Sequence, residues 1–233
     1  MNSTQKFVLV HGWGGAYVGD TPAVPLSDGS VVPAIHEHDG PQGVANGNRD
    51  VTCWPSALTA VQSWDSELMY RYGAAMGKEQ YLKGSNVMLG PGVNLARIPW
   101  NGRNFEYQGE DPVLASKMVA AETMGIQSQN VSGCVKHYVF NAEETDRSGM
   151  SANVPDRAAK ELYYKPFAAA VDAGVGSAMW CVWALVRASL PPPLTPTSQL
   201  TSTPPPPPPH PPTPQLLHPR EWHLGLRGRQ LPQ

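Results

Sequence analysis

Four short polar segments hold the side chains that could do chemistry in this sequence, and each follows an apolar run. In the first, His38-Asp39-Gly40-Pro41, glycine and proline force a turn that could present the Asp39 carboxylate, although an aspartate that only caps a turn is an alternative. The second contains Arg103 beside Phe105 and Tyr107. A planar guanidinium next to aromatic rings suits the paired hydroxyl groups of a sugar, and a structural Arg–Glu pair is an equal interpretation.

The third and fourth segments supply two further basic groups and a polar loop. Lys136 and His137 end an apolar run, and neighbouring side chains of a strand point to opposite faces. Both can therefore reach one ligand only if the strand ends there. Residues 141–147 form a polar loop that contains Glu144 and Arg147, and a solvated connection is favoured over a metal site.

The histidines and cysteines do not have the spacing of a metal centre. His36 and His38 are two residues apart on a strand with no third partner, which is a poor zinc ligand set. Cys53, Cys134 and Cys181 are odd in number and lack a CxxC spacing, so neither a disulfide framework nor a zinc site is indicated. We expect them to be small buried residues, and the sequence predicts no metal and no cofactor.

Short apolar runs alternate with helical periodicity between Pro33 and Met179, which is typical of βα units around a parallel sheet. Strands are predicted at residues 32–36, 86–89, 133–138 and 176–179. Ser63 is expected to cap a helix that Gly84 ends. A second helix is predicted over residues 112–129, and a third begins near Pro155 and is kinked before Pro166. Residues 3–10 are too short a segment to assign.

These elements predict an α/β fold, an incomplete (β/α)8 TIM-type barrel of about four βα units. A complete barrel typically takes about 250 residues, and four units leave two open strand edges. The polar segments lie at the carboxyl ends of the predicted strands, where such barrels place their active sites.

A composition change divides the chain at about residue 180. Of the 25 prolines, 15 lie after that residue, and the formal charge is −5 (13 Lys+Arg, 18 Asp+Glu) before it and +3 (4 and 1) after it. We predict a folded domain over residues 1–180 and a Pro-rich, disordered tail over residues 181–233. Proline tracts of this kind also bind aromatic grooves of SH3, WW or EVH1 type.

The overall charge of −2 and the absence of clustered basic residues argue against nucleic acid as a partner. The sequence contains no run of about 18 apolar residues and no basic leader followed by an apolar stretch, so no membrane segment is predicted. Localisation stays open.

Taken together, the motifs resemble the amino-terminal barrel domain of glycoside hydrolase family 3, the β-glucosidases and related enzymes. The resemblance runs from about Lys6 to Met179, and after Met179 the motifs stop. It is carried by HDGPQGV at 38–44, TCWPSALTAVQSWD at 52–65, LGPGVNLARIPWNGRNFEYQGEDP at 89–112, KHYVFNAEETDR at 136–147 and AAVDAGVGSAM at 169–179.

The resemblance implies a site for the terminal glucose of a β-glucoside. Asp39, Arg103, Lys136 and His137 match positions that bind the sugar hydroxyls at subsite −1. Glu144 and Arg147 resemble a supporting pair. The sequence departs from the family at Val44-Ala45-Asn46, where an arginine is usual, so one sugar contact is in doubt.

The resemblance also implies a retaining mechanism, which needs two carboxylates about 5 to 5.5 Å apart. In the family, the nucleophile is an Asp of an SDW-like motif on a later strand, and the acid/base follows it. Neither segment is recognised in this sequence, so no catalytic residue is assigned. We expect a β-glucosidase-type chain that is truncated and inactive alone. A non-catalytic sugar-binding remnant and an interaction protein that uses the proline tract are the alternatives.

Overall fold

A parallel sheet of four strands forms the centre of the computed structural model, and its strands pair in chain order. The structure describes residues 1–12, 20–45, 47–147 and 150–181. The Pro-rich tail predicted from residue 181 onward lies outside the described residues except for Cys181. The strands of the sheet are β3 (Glu37–Asp39), β4 (Val87–Leu89), β5 (Ser132–Tyr138) and β6 (Ser177–Trp180). The predicted α/β class with a parallel sheet is confirmed.

The first predicted strand is wrong. The predicted residues 32–36 lie outside the strands of the parallel sheet, and Val32 belongs to β2 (Val31–Val32), which pairs locally and antiparallel with β1 (Val24–Pro25). The chain reverses between them through Gly29, whose φ of +83° favours glycine. The parallel strand starts only at Glu37, which lies opposite Val87 of β4. The other three predicted strands are confirmed to within one residue at each end.

The helices of the described residues lie before and between these strands. They are α1 (Ser3–Val10), α2 (Ala57–Val61), α3 (Ser66–Leu82), α4 (Pro112–Gln127), α5 (Asp156–Ala158) and α6 (Tyr164–Asp172). No helix in the described ranges is long and apolar enough to cross a membrane.

Aspartates cap α3 and α4, and the serine predicted to cap α3 does not. Asp65 accepts hydrogen bonds from the first backbone N–H groups of α3, and Asp111 does the same for α4. Trp64, with φ of +58°, interrupts the helical path, so Ser63 lies outside α3. Helix α4 confirms the predicted start at Pro112 and ends at Gln127.

The third predicted helix has the expected interruption before Pro166. A π-helical turn over Ala159–Tyr163 separates α5 from α6. Pro166 has no backbone N–H to continue an α-helical ladder, and a wider turn accommodates this loss.

Glycines let α3 and α4 approach very closely. A Cβ atom on Gly73 would lie 2.3 Å from the backbone oxygen of Glu122, and one on Gly125 would lie 2.1 Å from that of Tyr70. One buried cluster joins the two helices and includes Met76 and Met118, and a second joins Val119 of α4 to Val135 of β5.

The cysteines only partly follow the prediction. Cys134 is buried in β5, but Cys53 is exposed in a loop and Cys181 is half-buried after β6. The expectation of three buried thiols is therefore wrong for Cys53, because the segment before α2 packs Trp54 inward and leaves its neighbour in solvent.

Candidate functional site

An ion pair joins the carboxyl end of β3 to β5. The Lys136 ammonium is 2.6 Å from Asp39 Oδ1, and its side chain is only 2% exposed. Asp39 is the last residue of β3 and Lys136 lies in β5, with β4 between them. The parallel sheet thus brings together two predicted site residues that lie 97 positions apart in the chain.

Glu106 links this pair to Arg103. It ends a 3₁₀ turn (Asn104–Glu106) and is 3% exposed. Arg103 Nε donates a hydrogen bond to Glu106 Oε1, and the Lys136 ammonium lies 3.7 Å from Glu106 Oε2. A buried carboxylate between two cations compensates charges that would be costly to bury alone.

Arg103 also reaches the polar loop after β5. Its Nη1 donates to Glu144 Oε1 at 2.8 Å, and Arg147 Nη1 donates to Glu144 Oε2 at 3.2 Å. Burial alone would raise the pKa of Glu144, but the two arginines lower it below its ordinary value. Burial likewise opposes the charge of Arg103, yet the hydrogen bonds from Arg103 to Glu106 and Glu144 raise the pKa of this arginine.

His137 is held by residues on both its ring and its backbone. Tyr107 Oη lies 3.2 Å from His137 Nδ1. The Asn94 side chain accepts from the His137 N–H at 2.8 Å and donates to its carbonyl at 3.0 Å. Burial, with smaller contributions from Arg103, Lys136 and Arg147, lowers the pKa of His137 to about 2, so this imidazole is neutral.

A bulge resolves the strand geometry at Lys136 and His137. The pairing of β5 with β6 shifts register between Lys136 and Tyr138, where the regular alternation of faces is lost. The peptide bond between Lys136 and His137 is cis. All six residues singled out from the sequence therefore lie in one connected region of the fold: Asp39, Arg103, Lys136, His137, Glu144 and Arg147.

Sequence reasoning missed three residues of this region as site members: Glu106, Tyr107 and Asn94. Glu106 could have been found from its spacing, because it follows Arg103 by three residues and the two can meet on a helical turn. Asn94 and Tyr107 carry no such local signal, since their partner His137 is 43 and 30 positions away.

The arrangement suits a neutral polyhydroxy ligand. Lysine and arginine donate hydrogen bonds, aspartate and a neutral imidazole nitrogen accept them, and sugar hydroxyls do both. Arg103 is engaged by two carboxylates, so the structural Arg–Glu pair is present in the fold. Among the described residues, no group of three or more His, Cys, Asp and Glu side chains is placed to hold a metal ion.

Comparison with known families identifies this architecture. The model of the glycosyl hydrolase family 3 N-terminal domain matches residues 24–192. The chain belongs to this family. The match covers the whole parallel sheet and every residue of the ion-pair network described above.

Similar family 3 proteins are β-glucosidases by name. The chain is 40% identical over 151 residues to thermostable β-glucosidase B of Acetivibrio thermocellus, covering 60% of this chain and 20% of that protein. It is 40% identical over 183 residues to probable β-glucosidase L of Aspergillus fumigatus, covering 77% and 24%. The structure of DesR, a β-glucosidase from Streptomyces venezuelae in complex with D-glucose, superposes with a TM-score of 0.74 at 29% identity, covering 79% and 24%. The chain thus spans 20% to 24% of the length of these relatives.

Proposed function

We propose that this chain is the sugar-binding part of a β-glucosidase-type family 3 hydrolase. Asp39, Arg103, Lys136 and His137 bind the hydroxyls of a terminal β-D-glucosyl residue or of glucose. The observation that carries the proposal is the ion pair of Lys136 with Asp39 at the carboxyl edge of the sheet, because it holds a buried donor beside an acceptor that is partly open to solvent. Glu144 and Arg147 support Arg103 from the neighbouring loop.

The proposed role of these carboxylates is binding and not bond cleavage. Asp39, Glu106 and Glu144 each contact a lysine or arginine. A general acid needs a raised pKa so that it keeps its proton near neutral pH, whereas the arginines lower the pKa of Glu144. We therefore propose that this chain binds sugar but hydrolyses β-glucosides far more slowly than a retaining enzyme with both carboxylates in place.

The sheet geometry supports the proposal of an incomplete barrel. Four parallel strands in chain order are half of the eight that close a TIM-type barrel. The truncation expected from the sequence stays a prediction, and sequencing the transcript across the codons for Met179 and Trp180 tests it. The binding of the tail to SH3, WW or EVH1 domains also stays a prediction, and a pull-down with residues 191–219 tests it.

Calorimetric titration of the full chain with D-glucose tests the binding function. We expect binding, and Asp39→Asn should weaken it by about 10- to 100-fold, because hydrogen bonds to a charged group contribute about 1.5 to 3 kcal/mol. Asp172→Asn is the matched control, since Asp172 is exposed at the end of α6, where the helix leads to the opposite edge of the sheet. Absence of glucose binding, or equal affinities of the two variants, refutes the proposal.

A rate measurement with an aryl β-D-glucoside tests the proposal that this chain hydrolyses β-glucosides only slowly. Binding without release of the aryl group supports a purely binding role for this chain. Turnover at the rate of a complete family 3 enzyme, lost in Asp39→Asn, would show that the described carboxylates do the chemistry.

A further inference from the structure

Tyr107 makes two contacts through one hydroxyl group. Its oxygen lies 3.2 Å from His137 Nδ1, and the same hydroxyl donates a hydrogen bond to the backbone carbonyl of Asn141. Tyr107 is fully buried and Asn141 is 4% exposed, so water does not compete for these groups. The three groups therefore have to satisfy one another.

Proton counting decides the direction of the contact with His137. A tyrosine hydroxyl carries one proton, and a backbone carbonyl can only accept. The proton of Tyr107 is therefore used on Asn141, and the oxygen of Tyr107 faces His137 Nδ1 with a lone pair. This lone pair of the Tyr107 oxygen can accept a hydrogen bond from His137 only if Nδ1 carries the ring proton.

The charge states of both side chains agree with this count. Burial raises the pKa of Tyr107 above its ordinary value, so the hydroxyl keeps its proton. Burial and three nearby cations lower the pKa of His137 to about 2, so its ring carries a single proton. With that proton on Nδ1, the other ring nitrogen, Nε2, has a free lone pair. No hydrogen bond joins Nε2 to any side chain within the described ranges, which leaves it available to a ligand.

We propose that Tyr107 is a positioning residue that fixes His137 as the Nδ1–H tautomer, so that Nε2 accepts a hydrogen bond from a sugar hydroxyl. The step from tautomer to sugar rests on the proposed function. The site then has a defined polarity: Lys136 and Arg103 present only donors, whereas Asp39 and His137 Nε2 present only acceptors. The hydroxyl opposite His137 must donate, and an acceptor-only group cannot replace it.

The tautomer can be measured without any sugar. ¹⁵N-edited NMR on the full chain labelled at histidine distinguishes a protonated from an unprotonated ring nitrogen, and His137→Asn assigns the signal. We expect a protonated Nδ1 and an unprotonated Nε2 at neutral pH. In Tyr107→Phe the acceptor for Nδ1–H is lost, and the Nε2–H form should gain population. An Nε2–H tautomer in the unmodified chain overturns the proposal, whether or not the variant folds.

Fluorinated sugars test the consequence for binding. Deoxyfluoro-D-glucoses keep an acceptor but lose the hydroxyl proton, whereas the deoxy sugars lose both. At the position opposite His137, fluorine should weaken binding as much as removal of the hydroxyl, by about 3- to 10-fold. If fluorine is tolerated at every position, the acceptor role of Nε2 is refuted. If glucose does not bind but NMR finds Nδ1–H, the proposed function fails and the tautomer assignment stands.

Discussion

Replacing Glu122 by glutamine is expected to flatten the pH dependence of stability. Glu122 lies in α4 and is fully buried, and Gln108 Nε2 donates to its Oε2 at 2.6 Å. Within the described structure, Glu122 Oε1 and Gln108 Oε1 are buried without a hydrogen-bond partner. Burial raises the pKa of Glu122 from 4.5 to about 8, although the hydrogen bond from Gln108 opposes the shift. At neutral pH the native side chain is therefore a neutral acid.

The direction of the pH dependence follows from how strongly the native and the unfolded chain bind the Glu122 proton. The unfolded chain loses the Glu122 proton near pH 4.5, whereas the native chain retains it up to about pH 8. Stability from this group is therefore fully present below pH 4.5 and falls as the pH rises to 8, by roughly 5 kcal/mol in all. Glutamine does not ionise, and its amide can donate where the protonated acid would donate. Glu122→Gln should therefore raise the free energy of unfolding by about 3 kcal/mol at pH 7, and by little at pH 4.5.

Urea unfolding followed by circular dichroism at several pH values between 4.5 and 8 measures this difference. Glu110→Gln is the matched control, because it makes the same replacement of a carboxyl group by an amide at an exposed position. Parallel pH profiles for the native chain and Glu122→Gln would refute the reasoning, as would a variant that is less stable than the native chain at pH 8.

Three further changes probe the site and the helix pair. Lys136→Met leaves Asp39 without its buried cation and should lower the free energy of unfolding by about 3 kcal/mol. Urea unfolding measures this loss, and the double variant with Asp39→Asn should recover part of it. If Lys136→Met leaves the free energy of unfolding unchanged, the prediction is wrong. Gly73→Ala should lower stability by more than about 2 kcal/mol, although alanine favours helices, because its Cβ meets the backbone of the facing helix. An unchanged melting temperature would show that the helices can separate at no cost. Arg103→Lys should weaken glucose binding about tenfold in calorimetry, since lysine cannot reproduce the planar fork, and unchanged affinity would make Arg103 a purely structural residue.

The sequence was sufficient to predict the elements with strong local signals. Helix α4 has a capping aspartate, a proline at its first position and a regular apolar face, and its start was predicted correctly. The shift of the first strand from residues 32–36 to Glu37–Asp39 was not predictable by the same means. Apolar residues at 31–35 fit a local hairpin as well as a parallel strand, and only pairing with β4 decides which residues join the sheet.

The candidate site required knowledge from outside the local sequence. Asp39 and Lys136 each stand out locally at the end of a predicted strand, but only the resemblance of their motifs to a family implies that they share one site, because no spacing rule relates residues 97 positions apart. The protonation states and hydrogen bonds of the site depend on burial, which only the folded structure shows. The neutral state of His137 depends on a desolvated environment built by distant segments, and Tyr107 acquires its role only when residues 30 positions apart meet.

The ion-pair network has a consequence for the choice of ligand. Its members alternate in sign along one path, from Asp39 through Lys136, Glu106, Arg103 and Glu144 to Arg147. Three acidic and three basic groups cancel formally, so an uncharged guest displaces no counterions when it enters. Affinity for such a guest should be almost indifferent to ionic strength, whereas a phosphorylated sugar would gain no net attraction to offset the loss of its own hydration.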